Sequence, residues 1–263
     1  MHDQANELRQ LVKCCVTATL PVAAKRPGVI AVAGGKGGVG TTTVAVNLAF
    51  MLSRRELRTV LVDAAGSGGA GALCQIEPRH CLADVLAGRS ALGEAIQPGP
   101  ERLQIVPGMW GLENQTDFTA TAMDRLFTQL PGLGDSTDIV VLDAGNSASR
   151  MAGRCWQEAD AMLAVTTPHS AAVMETYAAI KLLWPRERSG AIHLLVNMAA
   201  DRQSADDVYN RLAKACRRFL AVQVRSAGHV GVDASAGTHA LGSATMRRQT
   251  DVALDALLLT LKP

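Results

Sequence analysis

Aromatic residues are scarce in this chain: Phe, Trp and Tyr together make up 3% of its 263 residues. Proteins that bind single-stranded nucleic acid hold the bases on exposed aromatic side chains, so this scarcity argues against such a stacking platform. The charge is nearly balanced as well, with 26 Lys and Arg against 24 Asp and Glu, and the formal net charge of +2 is too small to indicate a surface that wraps nucleic acid. We therefore expect no specific nucleic-acid binding.

Cysteine pairs and long apolar runs are also missing. The six cysteines form no CxxC pair and have no neighbouring His at zinc-finger spacing, so we expect no zinc site. No basic start followed by an apolar segment resembles a signal peptide, and no apolar run approaches the roughly 18 residues that span a bilayer. We expect a cytoplasmic protein, peripheral to the inner face of the cell membrane at most, whose cysteines are buried as small hydrophobic side chains.

The chain has 48% hydrophobic residues, which is enough for one large core. Short apolar runs alternate with segments of helix length, and several runs are apolar throughout, which is typical of strands covered on both faces. The predicted strands are 29–33, 59–63, 103–106, 138–143, 161–165 and 192–197, and the predicted helices include 42–54, 171–183 and 205–221. This order predicts an α/β fold with a doubly wound, mainly parallel sheet flanked by helices.

The ends of the chain differ from its body. Residues 1–20 are amphipathic, and residues 21–27 contain two prolines and a basic pair, which is typical of a linker. We assign residues 28–263 to one domain that ends in an amphipathic helix at about 246–262, with four leucines on one helical face. Within the domain, the glycine-rich stretch 66–71 predicts a flexible turn.

A glycine-rich loop between the first strand and the first helix predicts a phosphate site. Its glycines let backbone N–H groups converge on phosphate oxygens, and the helix that follows adds the positive end of its dipole. Thr42 stands where a hydroxyl would ligate Mg²⁺, whereas Thr41 stands where a standard loop has a lysine for the β- and γ-phosphates. The predicted nucleotide-binding residues of the loop are Gly35, Lys36, Gly37, Gly38, Val39, Gly40, Thr41, Thr42 and Thr43.

This loop resembles the deviant Walker A motif of the MinD/ParA ATPases, because Lys36 lies where that family keeps its signature lysine. The resemblance implies a doubly wound P-loop fold, ATP or ADP with Mg²⁺ as cofactors, and a nucleotide-sandwich homodimer. In such a dimer Lys36 would reach the phosphates bound by the partner subunit. The alternative for Lys36 is a solvated lysine in a turn.

The second family motif resembles Asp-x-Asp, and here it is incomplete. Asp63 matches the first acid, which makes it a possible catalytic residue, but Ala65 stands where the second Asp would position the attacking water. Alanine cannot accept a proton or orient water, so we expect slow or absent ATP hydrolysis.

The segment that ends at Asp143 resembles a Walker B strand, and the resemblance implies that Asp143 holds Mg²⁺ together with Thr42. The alternative for Asp143 is a cap on the next helix. Farther along, Asn197 matches the residue whose amide reads the adenine edge in the family. Residues 228–233 resemble the family's loop beside the base, with Gly231 in place of proline, which makes base contacts from that loop doubtful.

The N-terminus points to one branch of the family. Residues 3–9 match the Asp-Gln-Ala-x-x-Leu-Arg element of FlhG, also called FleN or YlxH, at each defined position. Segments 166–181, 207–212 and 218–220 resemble FlhG too. The resemblance implies a short helix that docks on the GTPase FlhF and stimulates it. Its predicted contact residues are Asp3, Gln4, Ala5, Leu8 and Arg9. The alternative is that this helix packs on its own domain.

These observations favour an FlhG-like regulator of flagellar number or placement that binds ATP–Mg²⁺ as a conformational switch with weak or absent hydrolysis. Two alternatives stay open: a nucleotide-free pseudo-ATPase scaffold, and a localisation factor like those of the TadZ/CpaE or BcsQ groups. The C-terminal helix could bind a membrane surface transiently or pack on the core. A chromosome or plasmid partitioner is less favoured, because the sequence has no obvious DNA-binding arm.

Overall fold

The predicted strands lie side by side in one sheet. The computed structural model describes residues 26–66, 68–108, 119–146, 149–184 and 191–232, together with residues 255 and 258. Within these residues the sheet has eight strands. They are β1 (Gly28–Gly34), β2 (Thr59–Asp63), β3 (Gln97–Pro98), β4 (Gln104–Val106), β5 (Ile139–Asp143), β6 (Ala161–Thr166), β7 (Ala191–Ala199) and β8 (Gln223–Gly231).

The strand order is β3-β4-β2-β5-β1-β6-β7-β8, and each neighbouring pair is parallel except β3 and β4. The prediction of a doubly wound, mainly parallel sheet is therefore confirmed. β1 lies between β5 and β6, where the chain changes its direction of winding, and the crevice at such a switch point is the usual binding site of this fold class. The glycine-rich loop follows β1 directly.

Helices cover both faces of the sheet. They are α1 (Thr41–Arg54), α2 (Gly69–Leu73), α3 (Leu82–Ala87), α4 (Leu92–Ala95), α5 (Ala120–Phe127), α6 (Arg150–Glu158), α7 (Ser170–Leu183) and α8 (Arg202–Leu220), with a 3₁₀ turn at Pro131–Leu133. Successive strand residues point to opposite faces, so β1 contributes Val29 and Ala31 to one core and Ile30 and Val32 to the other. Both faces of a central strand must be apolar because each face packs against a core.

Three features differ from the sequence predictions. Residues 228–231, expected in a loop, form the end of β8. β8 is an edge strand, and its exposed Arg225 interrupts the apolar run by which a strand is recognised in the sequence. The glycine-rich stretch 66–71 is not only a turn, because α2 begins within it at Gly69. Gln97 and Pro98 form a short antiparallel strand that is not among the predicted strands.

The two ends of the chain are described only in part. Leu258 is helical and packs against the core that includes α1, and helical Asp255 forms a 2.7 Å ion pair with Arg55 just after α1. These contacts favour core packing of the predicted C-terminal helix. The predicted N-terminal helix, including residues 3–9, lies outside the described residues.

Two further findings concern the composition. Cys74, Cys81, Cys155 and Cys216 are buried and not in disulfides, as predicted for these four. Among the helices that the structure describes, none is both long and apolar enough to cross a membrane.

Candidate functional site

The glycine-rich loop has the backbone that a phosphate cradle requires. Gly38 and Gly40 have φ angles of 82° and 86°, a left-handed conformation that side chains other than glycine rarely adopt. Gly40 then serves as the N-cap of α1, whose buried apolar face holds the helix on the sheet. A Cβ atom added at Gly37 or Gly38 would meet nothing within 4 Å, so the outer rim of the loop is open to a ligand.

The first glycine of the loop is fixed from the opposite side. A Cβ atom added at Gly35 would collide with the backbone of Glu175 and Thr176 in α7, and it would lie 2.5 Å from the Cα atom of Thr176. Glycine is therefore required at position 35 because the loop touches a helix backbone, not because of an unusual φ angle.

Lys36 lies at a cleft of about 480 Å³ on the outer side of the loop. Its lining includes the loop residues Gly37, Gly38 and Val39 together with His169 and Met198. Lys36 is half-buried and forms no ion pair with any carboxylate in the part of the chain that the structure describes. The predicted contact of Lys36 with a second subunit stays a prediction, and the cleft leaves the side chain room for it.

Two carboxylates are buried beside the loop at the carboxyl edge of the sheet. Asp63 and Asp143 end the adjacent strands β2 and β5, are paired in register, and are both fully buried. Burial, followed by the negative charge of Asp63, raises the pKa of Asp143 to about 7, while the Thr42 hydroxyl acts in the opposite direction. The backbone N–H of Gly145 donates to Asp143 Oδ1 at 3.1 Å, but Oδ2 has no hydrogen-bond partner among the described residues.

A divalent cation fits this arrangement. An unpaired carboxylate oxygen in a buried site is costly, and Mg²⁺ prefers oxygen ligands such as a carboxylate and a threonine hydroxyl. Thr42 and Asp143, the predicted metal residues, are the groups brought together here. The alternative of a helix cap does not describe Asp143, because Ser149 caps the next helix, α6, by accepting from the N–H of Ala152 at 3.1 Å.

Asp63 has a structural contact that is not visible in the sequence. Its Oδ2 accepts a hydrogen bond of 3.1 Å from the N–H of Ala70, in the first turn of α2. Burial raises the pKa of Asp63, while the backbone N–H groups of Ala70, Ala65 and Gly108 lower it. The carboxylate thus holds the glycine-rich segment in place, and Ala65, two residues later, brings no carboxylate to the phosphate side.

Asn197, at the end of β7, holds the loop. Its Nδ2 donates to the carbonyl oxygen of Val39 at 2.8 Å, and its Oδ1 accepts from the N–H of Met198 at 3.0 Å. The side chain also fills the space that a Cβ atom at Gly40 would need. The predicted contact of Asn197 with a base stays a prediction. In this structure its amide binds the phosphate loop.

One residue of the site, Asn146, was missed from the sequence, and its partner is Thr41 of the phosphate loop. Thr41, the first residue of α1, is 1% exposed, and its hydroxyl donates to Oδ1 of Asn146, three residues after Asp143. The backbones of the two loops are joined as well, because Gly34 N–H donates to the carbonyl oxygen of Gly145 at 2.9 Å. At position 41, where a standard loop has a lysine, the threonine side chain therefore joins the phosphate loop to the loop after β5.

Comparisons with known proteins agree with this geometry. A family model described as an AAA domain matches residues 28–183. The antiactivator FleN of Pseudomonas aeruginosa is 32% identical over 208 residues, which cover 79% of this chain and 74% of FleN. The flagellum site-determining protein YlxH of Helicobacter pylori is 28% identical over 194 residues, which cover 73% of this chain and 65% of YlxH.

Solved structures show the same fold. The cell division ATPase MinD of Pyrococcus furiosus superposes with a TM-score of 0.69 at 19% identity, covering 87% of this chain and 98% of that one. MinD of Pyrococcus horikoshii in complex with Mg-ADP gives a TM-score of 0.67 at 18% identity, covering 90% of this chain and 94% of that one.

The sheet, the phosphate loop and the acid at the end of β5 define a P-loop nucleotide-binding protein, and the chain belongs to the AAA domain family, among the MinD/ParA-type P-loop ATPases. Within that family its sequence is similar to the flagellar regulators FleN and YlxH.

Proposed function

We propose that this protein is a FleN/FlhG-like regulator of flagellar number or placement. The proposal is supported by the 32% identity with FleN and by the Asp-Gln-Ala-x-x-Leu-Arg element at residues 3–9. In this role residues 1–20 bind a GTPase of the FlhF type, with Arg9 approaching its phosphates. The P-loop domain reports its own nucleotide state to that partner.

The nucleotide acts as a conformational ligand and is hydrolysed slowly or not at all. The open rim of the glycine loop would hold the phosphates, and Thr42 with Asp143 would hold Mg²⁺, which neutralises phosphate charge when bound. Asp143 supplies the unpaired buried oxygen for this purpose. What is missing is a group to activate water, because Ala65 lies at the expected place.

A nucleotide titration with subunit assembly as the second readout tests the proposal. We expect calorimetry to detect binding of Mg-ADP and Mg-ATP, light scattering to detect a dimer with Mg-ATP only, and phosphate release to be slow. Lys36→Ala is expected to keep Mg-ADP binding and to lose the ATP-dependent dimer, because the lysine contacts the other subunit's phosphates in that arrangement.

Two results would contradict this proposal. Absence of binding at millimolar ATP would leave the nucleotide-free scaffold, for which the replacement of the loop lysine by Thr41 is the favouring observation. Rapid ATP turnover that is lost in Lys36→Ala would instead indicate a working ATPase. The TadZ/CpaE-like and BcsQ-like alternatives are favoured over FlhG if a FlhF-type GTPase binds equally well after removal of residues 1–20.

A further inference from the structure

The contact between Thr41 and Asn146 fills the base of the phosphate loop. A Cβ atom added at Gly34 would lie 2.6 Å from Asn146 Oδ1 and 2.7 Å from Val39 Cγ2, and it would collide with the Thr41 hydroxyl. The side chain of Asn146 therefore reaches from the loop after β5 to Gly34, the last residue of β1 before the phosphate loop.

The contact with Thr41 uses the oxygen of the Asn146 amide and leaves its nitrogen available to donate hydrogen bonds to a ligand. Oδ1 accepts the hydrogen bond from the Thr41 hydroxyl. Nδ2 carries two N–H donors, and no residue in the described part of the chain accepts a hydrogen bond from it. The residue is only half-buried, so these donors are accessible beside the phosphate loop.

We propose that Asn146 binds the nucleotide phosphates in place of the missing lysine, and that Thr41 is the positioning residue that turns its amide N–H groups toward them. The inference rests on the proposed nucleotide binding. A neutral amide donates hydrogen bonds to a phosphate oxygen but supplies no positive charge, so it retains part of the lysine's function. The site thus keeps a hydrogen-bond donor for the phosphates, on Asn146, but lacks the positive charge that a lysine at position 41 would supply.

The test compares variants that separate the two ends of the amide. Asn146→Asp keeps an oxygen that accepts from Thr41 and removes the N–H donors, and its charge repels phosphate. We expect it to weaken Mg-ADP binding in calorimetry by roughly ten- to a hundredfold, the size of a lost hydrogen bond to a charged group. Asn210→Asp, on the exposed face of α8, is the matched control for the added charge and is expected to bind Mg-ADP like the wild type.

The role of Thr41 is tested separately. Thr41→Val has nearly the same shape without the hydroxyl and is expected to weaken Mg-ADP binding, whereas Thr41→Ser restores it. Thr41→Val added to Asn146→Ala is expected to cause no further loss, because Thr41 acts through Asn146. Thr41→Lys is expected to strengthen Mg-ADP binding only when it is combined with Asn146→Ala.

The outcomes are distinguishable from failure of the proposed function. Absence of Mg-ADP binding by the wild type refutes both. Normal binding by the wild type and by Asn146→Asp, with the melting temperature unchanged, refutes the role of Asn146 alone. Equal losses of Mg-ADP affinity in Thr41→Ser and Thr41→Val would refute the positioning role of the Thr41 hydroxyl, because the shape of the side chain would then explain both losses.

Discussion

Ala65 is the single residue with the clearest chemical consequence. It is half-buried after the end of β2, and its Cβ atom lies 3.0 Å from where a Cβ atom at Gly145 would be, so it adjoins the loop that follows Asp143. A carboxylate at position 65 would lie at the phosphate side of the site, where it could orient water. We expect Ala65→Asp to raise the rate of ATP hydrolysis on the order of tenfold or more, measured as phosphate release with Mg-ATP in excess.

Ala65→Asn is the matched control for this gain. It has the size and polarity of Asp but cannot accept a proton, so its rate is expected to stay at the wild-type level. Equal rates in the two variants and the wild type would contradict the idea that the missing acid limits hydrolysis. A separate nucleotide titration of both variants checks that binding is preserved.

Single residues of the site were predictable where they belong to one local motif. The glycine loop, Thr42 and Asp143 could be recognised because phosphate and Mg²⁺ chemistry restricts the residue types within a short stretch. Asn146 could not, because its contact with Thr41 joins residues 105 positions apart in the chain. The capping of Ala70 by Asp63 was missed for the same kind of reason, since it depends on how two segments pack.

At the scale of secondary-structure elements, the packing of the phosphate loop on α7 makes position 35 unusually sensitive. Gly35→Ala would force a methyl group into the backbone of α7, and we expect it to lower the free energy of unfolding by about 1–3 kcal/mol or more. Gly37→Ala, two residues away with nothing within 4 Å, is expected to change it by no more than about 0.5 kcal/mol. Chemical denaturation of both variants without nucleotide measures the difference, and equal effects would contradict the packing explanation.

The elements themselves were predictable to the extent that both of their faces are buried. Central strands such as β1 and β5 are apolar at consecutive positions because each face contacts a core, and this pattern is visible in the sequence. β8 is an edge strand with exposed Gln223, Arg225 and Ser226, so its sequence lacks that pattern. Short helices such as α4 (Leu92–Ala95) are too brief for a helical period to be recognised.

At the scale of the whole molecule, the proposed function assigns different tasks to the N-terminal segment and the P-loop domain. Removal of residues 1–20 is therefore expected to abolish stimulation of a FlhF-type GTPase while leaving the melting temperature and Mg-ADP affinity of the domain unchanged. GTP turnover by the partner, with and without the truncated protein, is the measurement.

Leu8→Asp in the full-length chain is the finer variant, because it disrupts the apolar face of the predicted helix without shortening the chain. Asn6→Asp, at an undefined position of the same motif, is its control. A fall in melting temperature on removal of residues 1–20 would show instead that the segment packs on its own domain.

The contact of Gly35 with α7 has a mechanical consequence for the molecule. No side chain lies between the two backbones at this point, and close-packed protein interiors have low compressibility. A displacement of the loop toward α7 must therefore be taken up by movement of the helix. The outer surface of the same helix carries Met174 and Leu182, which are 68% and 69% exposed. A movement of the phosphate loop toward α7 would therefore also move an apolar surface that faces solvent.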